Sequence, residues 1–203
     1  MKTVVTLFFL AFSFIARAQS SGYEIGAVAE DFTLKNVDSK MVSMSDFKEA
    51  KGYIVVFTCN TCPYSKAYED RIIELNTKYA AKGYPVLAIN PNDPVIQPGD
   101  SFDLMKEKAK SKKYSFPYLE DPGQEVTRKF GAMRTPHLFV LQKTPKGNMV
   151  QYIGAIDDDT ENTEPNKTNY AQNAVDALIA GKKPPLKLTK AVGCTIKWKK
   201  TEG

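Results

Sequence analysis

Tyr53-Ile54-Val55-Val56-Phe57-Thr58-Cys59-Asn60-Thr61-Cys62-Pro63-Tyr64 is the stretch of this 203-residue chain on which its fold turns. Tyr53 to Phe57 is a continuous apolar run rich in β-branched and aromatic residues, the signature of a strand buried on both faces. Two cysteines follow at once, two residues apart, and a helical pattern begins after them. It runs from Tyr64 to Lys82, with apolar positions at Ala67, Ile72, Leu75, Tyr79 and Ala80, and Gly83 stops it. Pro85 to Ile89 is a second buried strand. Strand, helix and strand in that order predict a parallel pair joined by a right-handed crossover, hence an α/β fold.

Working outward, Asp31 to Leu34 and Met41 to Met44 read as short strands around a turn at Asp38-Ser39. Ser45 is the expected cap of a helical turn at Ser45 to Phe47. Phe102 to Lys112 and Gln124 to Phe130 read as helices, the second ending at Gly131. His137 to Leu141 and Met149 to Ile153 flank a Pro-Lys-Gly-Asn turn and predict an antiparallel hairpin. Tyr170 to Ala180 is a final helix closed by Gly181.

The N-terminus reads as an address rather than as fold. Lys2 gives a short positive segment, Val4 to Ile15 an apolar run, and Ala16-Arg17-Ala18 a small-residue cleavage site. This predicts a signal peptide over residues 1–18, an exported (periplasmic or secreted) product, and no stable membrane insertion after cleavage. Residues 19–25 are expected to be a flexible lead-in, with the small, polar character continuing to Ala29. Residues 26–181 form the expected domain, and 182–203 a basic, proline-interrupted tail docked on it through Ile196 and Trp198. The formal charge of +5 becomes +3 without Lys2 and Arg17. The five lysines between Lys106 and Lys113 are interrupted by Glu107 and carry no interleaved aromatic residue. They read as a solvated helix face and not as a nucleic-acid surface.

Placement turns the cysteines into chemistry. Unpaired N–H groups and the helix dipole stabilise an anion at a helix start. A cysteine there has its pKa drawn from ~8.5 to roughly 3.5–7.5, and the thiolate is the nucleophile of disulfide exchange. Cys59 is the expected attacking thiol and Cys62, one turn inward, the resolving one. Pro63 suits the first helical position because its missing N–H has no helical partner. Thr135-Pro136 stands at the entrance to the His137 strand, where an X-Pro bond can be cis. If the strand–helix–strand unit folds as expected, Thr135-Pro136 would lie opposite the cysteines and shape a groove for an extended substrate.

Cys194 is read as a buried small hydrophobe in the tail, with a third redox thiol or a partner for Cys59 as its functional alternative. His137, the single histidine, is read as packed at a strand end. Asp157 to Asp159 is read as a solvated loop, since no EF-hand spacing follows. Glu69 and Asp70, early in the helix, suit its dipole and offer a way to tune the thiols. No metal site and no bound cofactor are expected.

The chain resembles the thioredoxin superfamily, in its redoxin or alkyl hydroperoxide reductase/thiol-specific antioxidant (peroxiredoxin-like) branch. The resemblance rests on Ala29 to Leu34, Phe57 to Tyr64 and Thr135 to Leu141. Val192 to Lys199 resembles a C-terminal signature of a peroxiredoxin-like subgroup. It implies a thioredoxin-like three-layer fold, a central mixed sheet with helices on both faces. It implies a thiol–disulfide oxidoreductase or an antioxidant peroxidase, acting on a protein or small-molecule thiol or disulfide with a separate redox partner. The family's Trp before the first cysteine is Thr58 here, and its buried Asp corresponds to Tyr53. A peroxidatic Pro-x-x-x-Thr-x-x-Cys pattern fits neither cysteine: Val55 and Cys59 precede Cys62, and Gly52 and Val56 precede Cys59. The local residues therefore favour disulfide exchange. A peroxidase, or a non-enzymatic metal- or thiol-binding module, is the alternative.

Overall fold

The computed structural model describes residues 22–200, so the leader expected over residues 1–18 and its cleavage site lie outside it. In chain order the elements are strands β1 (Val28–Ala29), β2 (Thr33–Asn36), β3 (Met41–Ser43) and β4 (Gly52–Phe57), helix α1 (Pro63–Tyr79) and strand β5 (Val86–Asn90). Then come α2 (Phe102–Ser111), β6 (Tyr118–Glu120), α3 (Glu125–Phe130), β7 (Arg134–Thr135), β8 (His137–Thr144), β9 (Gly147–Gly154), α4 (Tyr170–Ile179) and β10 (Cys194–Thr195).

Among the described residues eight strands form one sheet in the order β1-β9-β8-β4-β5-β6-β2-β3. The pairs β4–β5 and β5–β6 are parallel, while β4–β8, β8–β9, β1–β9, β2–β6 and β2–β3 are antiparallel. Strand β4 sits inside the sheet and every one of its residues is buried. Its alternation sorts the two cores, because successive strand side chains point to opposite faces. Ile54 and Val56 face a cluster with Tyr68, Ile72 and Leu75 of α1, Met105 of α2 and Val175 of α4. Tyr53, Val55 and Phe57 face another with Phe130 of α3, Phe139, Leu141, Phe32 and Ile196. Helices thus cover both faces of a mixed sheet, a thioredoxin-like three-layer fold.

The structure departs from the expected elements in definite places. Helix α1 starts at Pro63 and its last turn tightens at Ala80–Lys82 before Gly83, whose φ of 92° reverses the chain. Ser43, not Ser45, caps the turn at Met44–Asp46, and the Asp46 carboxylate accepts the Ser43 N–H at 2.7 Å. The segment before β1 is packed: Tyr23 meets Phe130 edge-on with ring centres 5.1 Å apart, and Gly26 N–H donates to the Val150 carbonyl. Val28 and Ala29 then pair with Met149 and Asn148, where the sequence suggests a flexible stretch.

Two charged segments read as solvated are engaged inside the protein. Asp157 is buried and receives Arg71 Nη1 at 2.8 and 2.7 Å, with Lys167 Nζ at 3.1 Å. Arg71 also donates to the carbonyls of Asp159 and Thr160, tying that loop to α1. Asp159 accepts the N–H groups of Asn162 and Glu164, closing the loop on itself. On α2, Lys108 and Lys112 reach buried Glu69 at 2.8 and 3.1 Å. The lysine face is therefore partly an anchor between α2 and α1.

Beyond α4 the chain follows β9, with Ile153 N–H donating to the Lys187 carbonyl and Thr189 N–H to that of Ile153. It then crosses to β7, where β10 pairs antiparallel with it, Cys194 opposite Thr135 and Thr195 opposite Arg134. Among the described residues no helix is long and apolar enough to cross a membrane.

Candidate active site

The end of β4 and the start of α1 bring the two cysteines together. Thr58 N–H donates to the Ile89 carbonyl at 2.9 Å, extending the parallel ladder to the motif's edge. Cys62 is the N-cap of α1 with an extended backbone, and Pro63 takes the first helical position, where its missing N–H costs no bond. Cys59 and Cys62 are both buried, and all three cysteines are free thiols.

The Thr135–Pro136 peptide is cis and faces the pair. Cys62 Sγ lies 3.0 Å from the Thr135 carbonyl oxygen, and Cys59 Sγ lies 3.4 Å from Thr135 Oγ1 and 3.9 Å from Ser65 Oγ. The residues singled out from sequence at 58–63 and 135–136 thus meet in one place. Cys194 joins them, paired across β10 and β7 with Thr135.

Electrostatics divides the pair differently from the sequence expectation. The neighbouring Cys59 thiol holds the Cys62 pKa down to about 4. The Cys194 thiol and the main-chain N–H groups of Ser65 and Cys194 add to that effect against the cost of burial. Cys59 is pushed up for three reasons, in order the neighbouring Cys62, its burial and the nearby Asp100 carboxylate. The lower pKa thus falls on Cys62, at the helix N-cap, and the higher on Cys59. These electrostatics favour Cys62 as the thiolate, whereas the sequence reading gives the attacking role to Cys59.

Asp100 escaped the sequence analysis and is central here. Buried after the Pro-rich loop that follows β5, it accepts Asn60 N–H at 2.7 Å and Thr61 N–H at 3.1 Å. Thr61 Oγ1 and Asn92 Nδ2 complete its shell at 3.0 and 2.6 Å. The Asn60 side chain is fixed from both ends, its Nδ2 donating to the Gly99 carbonyl and its Oδ1 accepting Tyr118 OH. No spacing rule links Asp100 to a motif forty residues earlier, so only the fold reveals it. A groove of about 630 Å³, lined by Asn60, Thr61, Lys66, Leu104 and Lys108 among others, opens beside the motif. On the other side, the edge at Thr135 is taken by β10.

His137 is packed at its strand end, its ring centre 4.7 Å from that of Phe139 and its Nδ1 accepting Met133 N–H at 3.4 Å. Burial holds its pKa down to about 4 from 6.5. A base whose folded pKa is depressed takes up its proton in the unfolded chain first. Stability is therefore lost as pH falls from about 6.5 to about 4, by up to about 3 kcal/mol. Urea midpoints measured across that window should fall in the wild type and fall markedly less in His137→Gln. Equal slopes would remove His137 as the cause.

Against known proteins, a family model described as the AhpC/TSA family matches residues 25–152. Over 133 residues the chain is 28% identical to thiol-disulfide oxidoreductase ResA of Bacillus thuringiensis, covering 64% of this chain and 69% of that protein. It is 32% identical over 160 residues to chloroplastic peroxiredoxin Q of Triticum aestivum, covering 68% of this chain and 64% of that protein. The crystal structure of an uncharacterized conserved protein from Geobacillus kaustophilus superposes with a TM-score of 0.80 at 34% identity, over 88% of this chain and 94% of that one. With a matched region spanning more than half of its length, from the segment before β1 to the last strands of the sheet, the chain belongs to the AhpC/TSA family.

Proposed function

We propose that this protein is an extracytoplasmic thiol–disulfide oxidoreductase working through Cys59 and Cys62. The observation that carries the reading is the pair itself. Two sulfurs lie side by side at the start of α1, one with its pKa drawn down and the other with its pKa pushed up, against a cis-proline. Exchange needs that asymmetry, because the thiolate attacks and a neutral neighbour waits to resolve.

In the reducing direction the Cys62 thiolate attacks one sulfur of a substrate disulfide, and the other leaves as a thiolate. Cys59 then gives up its proton to that leaving thiolate and displaces the first sulfur, closing the Cys59–Cys62 bond. The oxidising direction runs these steps backwards. Residues 135–136 border the reacting sulfurs, and a separate redox partner resets the pair. No cofactor takes part. The leader-like residues 1–18 support work outside the cytoplasm, in a compartment where disulfides persist.

A relative named peroxiredoxin Q raises peroxide consumption as a second chemistry. The missing peroxidatic pattern around both cysteines speaks against it. The test follows turbidity as reduced protein acts on insulin, with stopped-flow peroxide consumption alongside. The expected result is catalysis by the wild type and loss of at least ~100-fold in both Cys59→Ser and Cys62→Ser. Wild-type rates in both variants, or rapid peroxide consumption without insulin reduction, would overturn the reading.

A further inference from the structure

Both sulfurs of the pair are almost wholly enclosed, Cys59 being 2% and Cys62 4% exposed. A disulfide between them would offer little surface to a thiol carried on another protein. The element lying over this edge is the chain's own tail. Strand β10 takes the free edge of β7, with Cys194 directly opposite Thr135, the residue whose carbonyl oxygen lies 3.0 Å from Cys62 Sγ. The fit is close: a Cβ added to Gly193 would stand 2.3 Å from the Thr135 carbonyl oxygen. The tail is also held downstream, where Lys197 N–H donates to Asn92 Oδ1 and Gln124 Nε2 to the Lys197 carbonyl, and Ile196 is buried. Cys194 is thus fixed against Cys62, yet it is partly exposed.

We propose that Cys194 is the third redox thiol of this protein, taking the disulfide over from the buried pair and presenting it at the surface. The inference rests on the dithiol reading above. Cys62 is the hub, with Cys59 on one side and Cys194 on the other. In the transfer step the Cys194 sulfur, having released its proton, attacks the Cys62 sulfur of the Cys59–Cys62 disulfide. The Cys59–Cys62 bond breaks, the Cys62–Cys194 bond forms, and Cys59 leaves as a thiolate that takes up the proton. One disulfide and one thiol are present before and after, so the step needs no outside oxidant or reductant. A substrate thiolate then attacks the Cys194 sulfur, and Cys62 leaves as a thiolate. A second substrate thiolate attacks the resulting mixed disulfide and releases Cys194, so that the substrate leaves as a disulfide; a substrate disulfide is reduced by the reverse sequence. While Cys62 is a thiolate its charge helps to keep Cys194 protonated, its pKa pushed up to about 11 by burial and by Cys62. Once Cys62 is in a disulfide that repulsion is gone, and nearby Lys197 and Arg134 favour the Cys194 thiolate.

The test equilibrates the full chain in glutathione buffers of graded ratio, quenches with acid, alkylates free thiols and maps tryptic peptides by mass. Cys59 and Cys62 share the peptide Gly52–Lys66 and Cys194 lies on Ala191–Lys197, so the two disulfides are distinct. The expected result is a cross-linked pair of these peptides from wild-type protein alongside the internal Cys59–Cys62 form. In Cys59→Ser the expected product is two hydrogen atoms lighter, carrying Cys62–Cys194 alone. The proposal is overturned if Cys59–Cys62 closes in the wild type with no cross-linked peptide at any ratio, leaving the oxidoreductase reading intact. If neither disulfide forms, the dithiol reading falls and this inference falls with it. The wild-type mapping decides the matter even if Cys59→Ser does not fold.

Discussion

Reduced protein at pH 6 should carry one thiolate per chain, seen as ultraviolet absorbance near ~240 nm, and should lose it as the pH falls through about 4. The direction follows from the site. A thiol with the ordinary value of 9.0 is ionised to roughly one part in a thousand at pH 6, whereas one held near 4 is almost fully ionised. The effect is therefore close to all-or-none. Cys62→Ser should abolish the signal, because of the two thiols that remain Cys59 is buried beside the Asp100 carboxylate and Cys194 is itself raised by burial. Cys59→Ala should move the titration upward, since it removes the largest contribution to the Cys62 shift. A signal that survives in Cys62→Ser and vanishes in Cys59→Ser would return the charge to Cys59 and reverse the division of roles.

Asp100→Ala should cost about 3–5 kcal/mol in urea unfolding and dismantle the turn between the cysteines. Four donors lose their acceptor at once, two of them main-chain N–H groups of the motif itself. A buried donor left unpaired costs about 1–3 kcal/mol, and water entering the space recovers part of the sum. Asp100→Asn separates shape from charge. It keeps the volume but turns one acceptor into a donor facing other donors, so a smaller loss of stability is expected. It also removes a negative charge that raises the Cys59 pKa, so Cys59 should ionise more easily in that variant. Alkylation rates of the reduced protein across pH would show this. An unchanged unfolding midpoint in Asp100→Ala would mean that the turn holds itself.

What the sequence revealed and what it hid divide by range. The run Tyr53 to Phe57 announces a doubly buried strand, and the cysteines announce the strand–helix junction, because each signal is local. Strands β1, β6, β7 and β10, of two or three residues, are too short to show a period and exist through their partners. Pairing across the fold also hid the real duties of charged residues. Asp157 looks like a solvated acid until Arg71 arrives from α1, and Glu69 until Lys108 arrives from α2. Helix-start chemistry pointed to the two cysteines that the fold sets between the end of β4 and the start of α1. It put the thiolate on Cys59, whereas the N-cap falls on Cys62 and Asp100, invisible to spacing, raises the Cys59 pKa.

The hold on the motif has a consequence for how the sulfurs move. Thr58 is pinned to Ile89, Asn60 and Thr61 are pinned to Asp100, and Lys66 N–H closes the first turn of α1 on the Cys62 carbonyl. Little backbone travel is open between the two cysteines, so the approach of one sulfur to the other is left to rotation about the side-chain bonds. Oxidation and reduction then share nearly one frame, and electrons change hands across a stage whose scenery stays still.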